Sequence, residues 1–96
     1  MEFEWDAEKN QSNIAKHGLS FEGARTIFDG FTADASDDRF DYGEPRTISI
    51  GMMHAVAVVV VVHTDRNGVC RIISARQAKR QERERYDQAL RQALDG

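Results

Sequence analysis

Apolar and polar positions along the 96-residue chain recur with a period of two and then of about 3.6, give way to short apolar or β-branched runs, and return to 3.6. Phe3 and Trp5 alternate with Glu2, Glu4 and Asp6, which predicts a short opening strand with one apolar face. Asp6 then suits the N-cap of a helix over Ala7–His17, and Gly18 suits its C-terminal stop. Lys16 and His17 fall where positive charge favours the helix dipole. Ser20 predicts a second N-cap, with Phe21, Ala24, Ile27 and Phe28 as the apolar stripe of a short helix ended by Asp29-Gly30.

Phe31–Ala35, Arg46–Gly51, Ala55–Thr64 and Val69–Ala75 are short apolar or β-branched runs bounded by turn residues, which predicts four strands. An acidic stretch, SDDRFDYGEP, forms the loop between the first two and is closed by the single proline, Pro45. Val58–Val62 is an unbroken run of valine, as expected of a central strand covered on both faces. The turn Asp65-Arg66-Asn67-Gly68 admits two geometries with different registers. A two-residue Asn67-Gly68 turn sets Thr64 opposite Arg71 and puts His63 on the other face. A type I turn from Asp65 with a bulge at Gly68 sets His63 opposite Arg71, and Asp and Gly at its two ends favour this second form. From Gln77 to Leu94 the residues are strong helix formers, with Tyr86, Ala89, Leu90, Ala93 and Leu94 as the apolar face. The predicted fold class is α+β: a short N-terminal strand, two helices, an antiparallel sheet with a central Val-rich strand, and a C-terminal helix, all in a single domain over residues 1–96.

Composition narrows the setting. One cysteine, Cys70, excludes an internal disulfide and fits a reducing cytosol. The acidic start MEFEWDAEKN has no signal or transit character. The longest apolar run, Ala55–Val62, is far shorter than the roughly 20 residues of a membrane span. The expectation is a soluble cytoplasmic protein with no membrane contact. The net charge of −3 hides an asymmetry, because residues 1–45 carry four Lys/Arg against eleven Asp/Glu, and residues 46–96 carry nine against five. A polyanion responds to the local field, so the basic second half keeps nucleic acid in view.

Most catalytic templates find no match. The chain has no glycine-rich phosphate loop and no nucleophile elbow, and its three histidines (His17, His54, His63) are scattered, so neither a metal nor another cofactor is expected. What remains is the arginine-rich stretch RIISARQAKRQERERY, Arg71–Tyr86. Arg71 lies within a strand, Arg76 at the strand-to-helix corner, and Arg80 and Arg83 follow at helical spacing, while Glu82 and Tyr86 are four residues apart. Guanidinium forks bind phosphate and stabilise the extra charge of a phosphoryl transition state. RNA brings its own 2′-oxygen as nucleophile, so a nearby carboxylate or imidazole suffices for proton transfer. On composition alone a solvated helix face and a polyanion site both stay open.

Two segments then add a resemblance. FEWDAEKNQSNIAKHGLSFEGARTIF (Phe3–Phe28) and VVHTDRNGVCRIISARQAKRQERERY (Val61–Tyr86) resemble the N- and C-terminal signatures of BrnT-type toxins. The likeness spans nearly the whole chain, and Ser36–Pro45 matches least. It implies a RelE-like fold and a ribonuclease toxin of a type II toxin–antitoxin pair. It further implies a BrnA-type antitoxin with a ribbon-helix-helix part, RNA as substrate, and contact with operator DNA only through the antitoxin. An antitoxin dimer would carry two toxins. The C-terminal motif takes in Arg71, Arg76, Glu82, Arg83 and Tyr86, and His63 sits in its His-Thr element.

The resulting expectation is a metal-independent endoribonuclease. Arg71 and Arg76 hold the scissile phosphate, Glu82 is the base, and His63 the acid if the bulged turn brings it beside Arg71. Lys79, Arg80, Arg83 and Tyr86 are the candidates for RNA contact, with a core role for Tyr86 equally open. Asp34, Asp37, Asp38 and Asp41 are expected to face the antitoxin. The alternative is a non-catalytic module that binds nucleic acid or antitoxin in operon autoregulation.

Overall fold

The computed structural model describes all residues except Phe40 and Tyr42, so that part of the predicted acidic loop lies outside the described residues. Strand β1 (Glu2–Glu4) leads into helix α1 (Ala7–His17) and helix α2 (Phe21–Ala24), which tightens into a 3-10 segment over Arg25–Asp29. Strands β2 (Thr32–Ser36), β3 (Thr47–Met53), β4 (Ala57–Arg66) and β5 (Val69–Gln77) follow, then helix α3 (Arg80–Asp95). They form one sheet in the order β1-β5-β4-β3-β2, with β1 parallel to β5 and the other pairs antiparallel. The Val-rich strand is the central one, as predicted.

The predicted caps are present. The Asp6 carboxylate accepts from the backbone N–H groups of Glu8 (2.8 Å) and Lys9 (3.1 Å), and these bonds hold its pKa below the usual value. Gly18 takes the left-handed conformation, φ 72°, and its N–H reaches the Ile14 carbonyl. Ser20 Oγ accepts from the Gly23 N–H at 3.0 Å. The second helix holds only one α turn before it tightens. There the chain passes close to β3 at Gly51, where a side-chain Cβ would stand 2.7 Å from Ile27 Cβ.

Both faces of the sheet are covered, unequally. On one face, α1, α2 and the 3-10 segment bury Phe21, Ala24 and Ile27 against Val59, Val61, Ile72 and Ala75, with Phe3, Trp5 and Phe28 at the margin. On the other, α3 covers Ile50, Val60 and Ala78 with Tyr86 and Leu90. The apolar face predicted for this helix stops short. Ala93 and Leu94 are exposed, because α3 packs across β2 and β3, which is the edge of the sheet, and its last turn runs beyond it. The start of α3 is also later than predicted. Arg76 and Gln77 still pair with Val60 and Val59, and the Ala78 N–H bonds to the Val58 carbonyl, so β5 claims these residues first.

Asn13 ties α1 to the sheet. β1 pairs with β5 only as far as Arg71, which leaves the backbone of Ala75 without a strand neighbour on that side. The Asn13 amide takes the place of one: its Nδ2 donates to the Ala75 and Leu19 carbonyls, both at 2.8 Å, and its Oδ1 accepts from the Ala75 N–H at 3.1 Å. Buried backbone groups need partners, and this side chain supplies three such bonds.

The β4–β5 turn corrects the expected register. Arg66 pairs with Val69, Thr64 with Arg71 and His63 with Ile72, so the turn has two residues. Asn67 (φ 57°) and Gly68 (φ 84°) both occupy the left-handed region. Asparagine tolerates this conformation, and a turn left-handed at both central positions follows the right-handed twist of the strands. The irregularity lies further along, where Val62 faces Ser74 and Ile73 is the extra residue. This bulge reverses the alternation of β5. Ala75 therefore enters the core under α1, and Arg76 joins Arg71 on the α3 face.

Candidate active site

Helix α3 covers only part of its face of the sheet, and beside it an open cavity of about 340 Å³ remains. Its floor is aliphatic, made by Ala33 and Ala35 of β2, Ile48 and Ile50 of β3, and Val60 and Val62 of β4, with Ser74 of β5 at one side. Asp34 of β2 stands at the sheet edge, and Arg39, Arg76, Glu82 and Arg85 complete the lining.

Arg76 and Glu82 meet here as a fork. Arg76 Nη1 and Nη2 donate to Glu82 Oε1 and Oε2 at 2.7 and 2.8 Å. Glu82 is the third residue of α3, and its Oε1 also accepts the Lys79 N–H at 2.8 Å, which caps the helix start. The Arg76 guanidinium foremost, and then the Lys79 N–H and charge, hold the Glu82 carboxyl down at about 2. The same contact raises the Arg76 pKa, opposed first by burial and to a lesser degree by the positive charge of Arg39. Arg39 in turn forks onto the buried Asp37 at 2.8 and 3.0 Å. Asp37, expected on an antitoxin-facing surface, is thus buried against the loop it stabilises, and Asp38 accepts the Ser36 hydroxyl.

The other candidates lie elsewhere. Arg71 shares the α3 face but pairs with Glu4 of β1 at 3.4 Å, and it does not line the cavity. Lys79 and Arg80 are exposed, with Arg80 held to Glu84 at 3.2 Å, and Arg83 donates to the Ala78 carbonyl at 3.4 Å. Tyr86 is 5% exposed and packs against Phe31 with ring centroids 6.0 Å apart, so its ring is part of the core. The Cys70 thiol is buried and pushed up to about 11, which keeps it protonated and inert.

His63 is separated from the arginines by the sheet. The two-residue turn sends it to the α1–α2 face, edge-on to Phe28 with centroids 5.0 Å apart, and not beside Arg71 as the bulged turn required. Its Nε2 lies 2.7 Å from Ser49 Oγ, which is itself 2.6 Å from Asp34 Oδ1. The single serine proton goes to the carboxylate, so His63 donates to Ser49 and carries its hydrogen on Nε2. Burial lowers its pKa and the Asp34 charge partly opposes this, so the ring is neutral at pH 7. Ser49 is wholly buried, which makes the chain Asp34–Ser49–His63 a tie across β2, β3 and β4.

Sequence reasoning therefore brought Arg76 and Glu82 to the cavity and missed Arg39, Arg85 and Ser74. Arg39 stands alone in an acidic loop and Arg85 in a charged helix, and neither position carries a periodic signal. The Glu82 contact with the Lys79 backbone was missed as well, because the helix was expected to start at Gln77, which hides the spacing of a helix cap. Among the described residues no three His, Cys, Asp or Glu side chains gather as a metal site, and no helix is long and apolar enough to cross a membrane.

Residues 5–82 match the family model of the ribonuclease toxin, BrnT, of type II toxin–antitoxin systems. Among solved structures the chain is similar to the ribonuclease toxin BrnT of Brucella abortus, with 25% identity and a TM-score of 0.63. That similarity covers 83% of this chain and 99% of the other. No curated protein matches significantly. The α+β, RelE-like class expected from the resemblance is the class observed, and the matched span includes β5, Arg76 and Glu82. The chain belongs to the BrnT family of ribonuclease toxins of type II toxin–antitoxin systems.

Proposed function

We propose that the chain is a metal-independent endoribonuclease that inhibits translation and growth by cutting RNA. The 2′-hydroxyl gives its proton to solvent water as its oxygen forms a bond to the adjacent phosphorus. The bond to the 5′-oxygen breaks and that oxygen takes a proton from water, so the products carry a 2′,3′-cyclic phosphate, or its hydrolysis product, and a 5′-hydroxyl. The observation that carries this reading is the Arg76–Glu82 fork, set with Arg39 and Arg85 around one open cavity in a ribonuclease-toxin family member. Arg76 meets the charge that grows on the phosphoryl oxygens, and such preorganised charge is commonly the largest catalytic contribution. A carboxyl at about 2 is a weak proton acceptor at neutral pH. Glu82 thus serves as a positioning residue that aims the Arg76 guanidinium and anchors α3 beneath it. His63, across the sheet, and the core residue Tyr86 are left out of this reading. Arg71, Lys79, Arg80 and Arg83 extend the positive surface along which RNA is drawn.

A BrnA-type ribbon-helix-helix antitoxin is the proposed partner, with two toxins on one antitoxin dimer and operator DNA reached through that dimer. The proposed place of action is the cytoplasm, where the substrate RNA is found. Incubating the protein with RNA in excess EDTA tests the activity. Products ending in a cyclic phosphate, lost with Arg76→Ala while the circular dichroism spectrum is unchanged, are expected. Retention of RNA without products would return the chain to a binding module, and full cleavage by Arg76→Ala would refute the assigned role.

A further inference from the structure

The cavity beside α3 combines two properties that a simple phosphate site does not need. Its polar lining carries three arginines, Arg39, Arg76 and Arg85, against two carboxylates, Asp34 and Glu82, whereas its floor is an aliphatic sheet surface reaching from Ala35 to Val62. A phosphate alone is fully hydrated and gains nothing from such a floor, whereas a planar apolar body attached to a phosphate gains from both. At about 340 Å³ the cavity stands at the lower end of small-ligand pockets, which suits one nucleotide. Ser74 adds a hydroxyl at the side of the floor, able to donate and to accept.

We infer that this cavity is a nucleotide subsite, in which one unpaired base lies on the Ile48, Val60 and Val62 floor and its phosphate is held at the Arg39, Arg76 and Arg85 rim. Ser74 meets the polar edge of the base and sets which base is preferred. The inference rests on the ribonuclease reading and adds to it a place and a means of base selection. Single-stranded RNA is commonly read by laying splayed bases on a protein surface and bonding their edges, and the aliphatic floor takes the part that aromatic rings play elsewhere.

The four nucleoside 3′-monophosphates and inorganic phosphate, titrated into the ¹⁵N-labelled full chain and followed by NMR, test it. The nucleotides are expected to bind at least ten-fold more tightly than inorganic phosphate and to shift the amides of Val60, Val62 and Ser74. Ser74→Ala is expected to change the ranking of the four bases by about five-fold, the worth of one neutral hydrogen bond. Ala35→Glu, an exposed position that puts a negative charge into the cavity, is expected to abolish nucleotide binding with the fold retained in the same spectra. Equal affinity for nucleotides and inorganic phosphate, or an unchanged base ranking in Ser74→Ala, overturns the inference. So does a Glu-rich helical peptide that shifts these amides when nucleotides do not, since the cavity is then a protein dock. Cleavage of RNA in EDTA reports separately: if it persists with nucleotides failing to map to the cavity, the subsite falls and the nuclease reading stands. If nucleotides map there and no RNA is cut, the nuclease reading falls alone.

Discussion

Glu82→Gln removes one charge from the Arg76 fork and leaves an amide oxygen able to accept the Lys79 N–H, so it isolates the ion pair from the helix cap. The carboxyl sits at about 2 instead of its usual 4.5, which at about 1.36 kcal/mol per unit sets an upper bound of roughly 3 kcal/mol on the stabilisation at neutral pH. Glu82 is 18% exposed and Arg76 36%, so solvent screens the pair and about 1–2 kcal/mol is expected. The sign follows from linkage. The folded-state pKa is depressed, so the contribution is complete above the unfolded value near 4.5 and is lost as pH falls toward 2. Urea unfolding of both proteins at pH 7, 5, 4 and 3 measures it. The gap in unfolding free energy is expected to be constant from pH 7 to 5 and to narrow at pH 4 and 3. A gap that does not change with pH would show that the substitution acts through packing and that the fork is not an electrostatic device.

Three other perturbations probe the frame that carries the site. Asn13→Ala leaves the Ala75 backbone and the Leu19 carbonyl without three bonds, and is expected to cost about 2–4 kcal/mol, with faster hydrogen exchange at the Ala75 amide. Wild-type exchange there would mean that another group pairs with β5. Gly51→Ala forces a Cβ to within 2.7 Å of Ile27 Cβ and is expected to cost about 1–3 kcal/mol in thermal or urea unfolding, so unchanged stability would contradict the close approach. His63 is expected to titrate below its usual value of 6.5 by NMR, and Asp34→Asn to lower it further, because the Asp34 charge is what opposes desolvation. The folded-state pKa being depressed, this group reduces stability as pH falls below 6.5. A rise in the His63 pKa in Asp34→Asn would refute the tie.

The apolar pattern and the capping residues were enough to determine the element order, the central place of the Val-rich strand and the ends of α1. Those features depend on interactions within a few residues, or on burial common to every position of a run. Arg76 and Glu82 were each legible as site candidates in the same basic stretch, though not as partners of one another. Their geometry was not, and neither were Arg39 and Arg85, because a charged side chain in a loop or a solvated helix has the same local pattern whether or not a cavity lies beneath it.

The bulge at Ile73 separates what the chain determines locally from what the tertiary structure decides. With simple alternation, Arg71 and Arg76, five residues apart, point to opposite faces of β5. The inserted residue brings both to one face and turns Ala75 into the core, where Asn13 of α1 receives its backbone. The turn at Asn67-Gly68 decides in the same way for His63, where a shift of one residue carries a side chain through the sheet. The bulge shows only in the pairing of β4 with β5, and the turn was one of two geometries that the same four residues admit. The residue types in the basic stretch were present in the sequence, but the face on which each one acts was a property of the folded sheet.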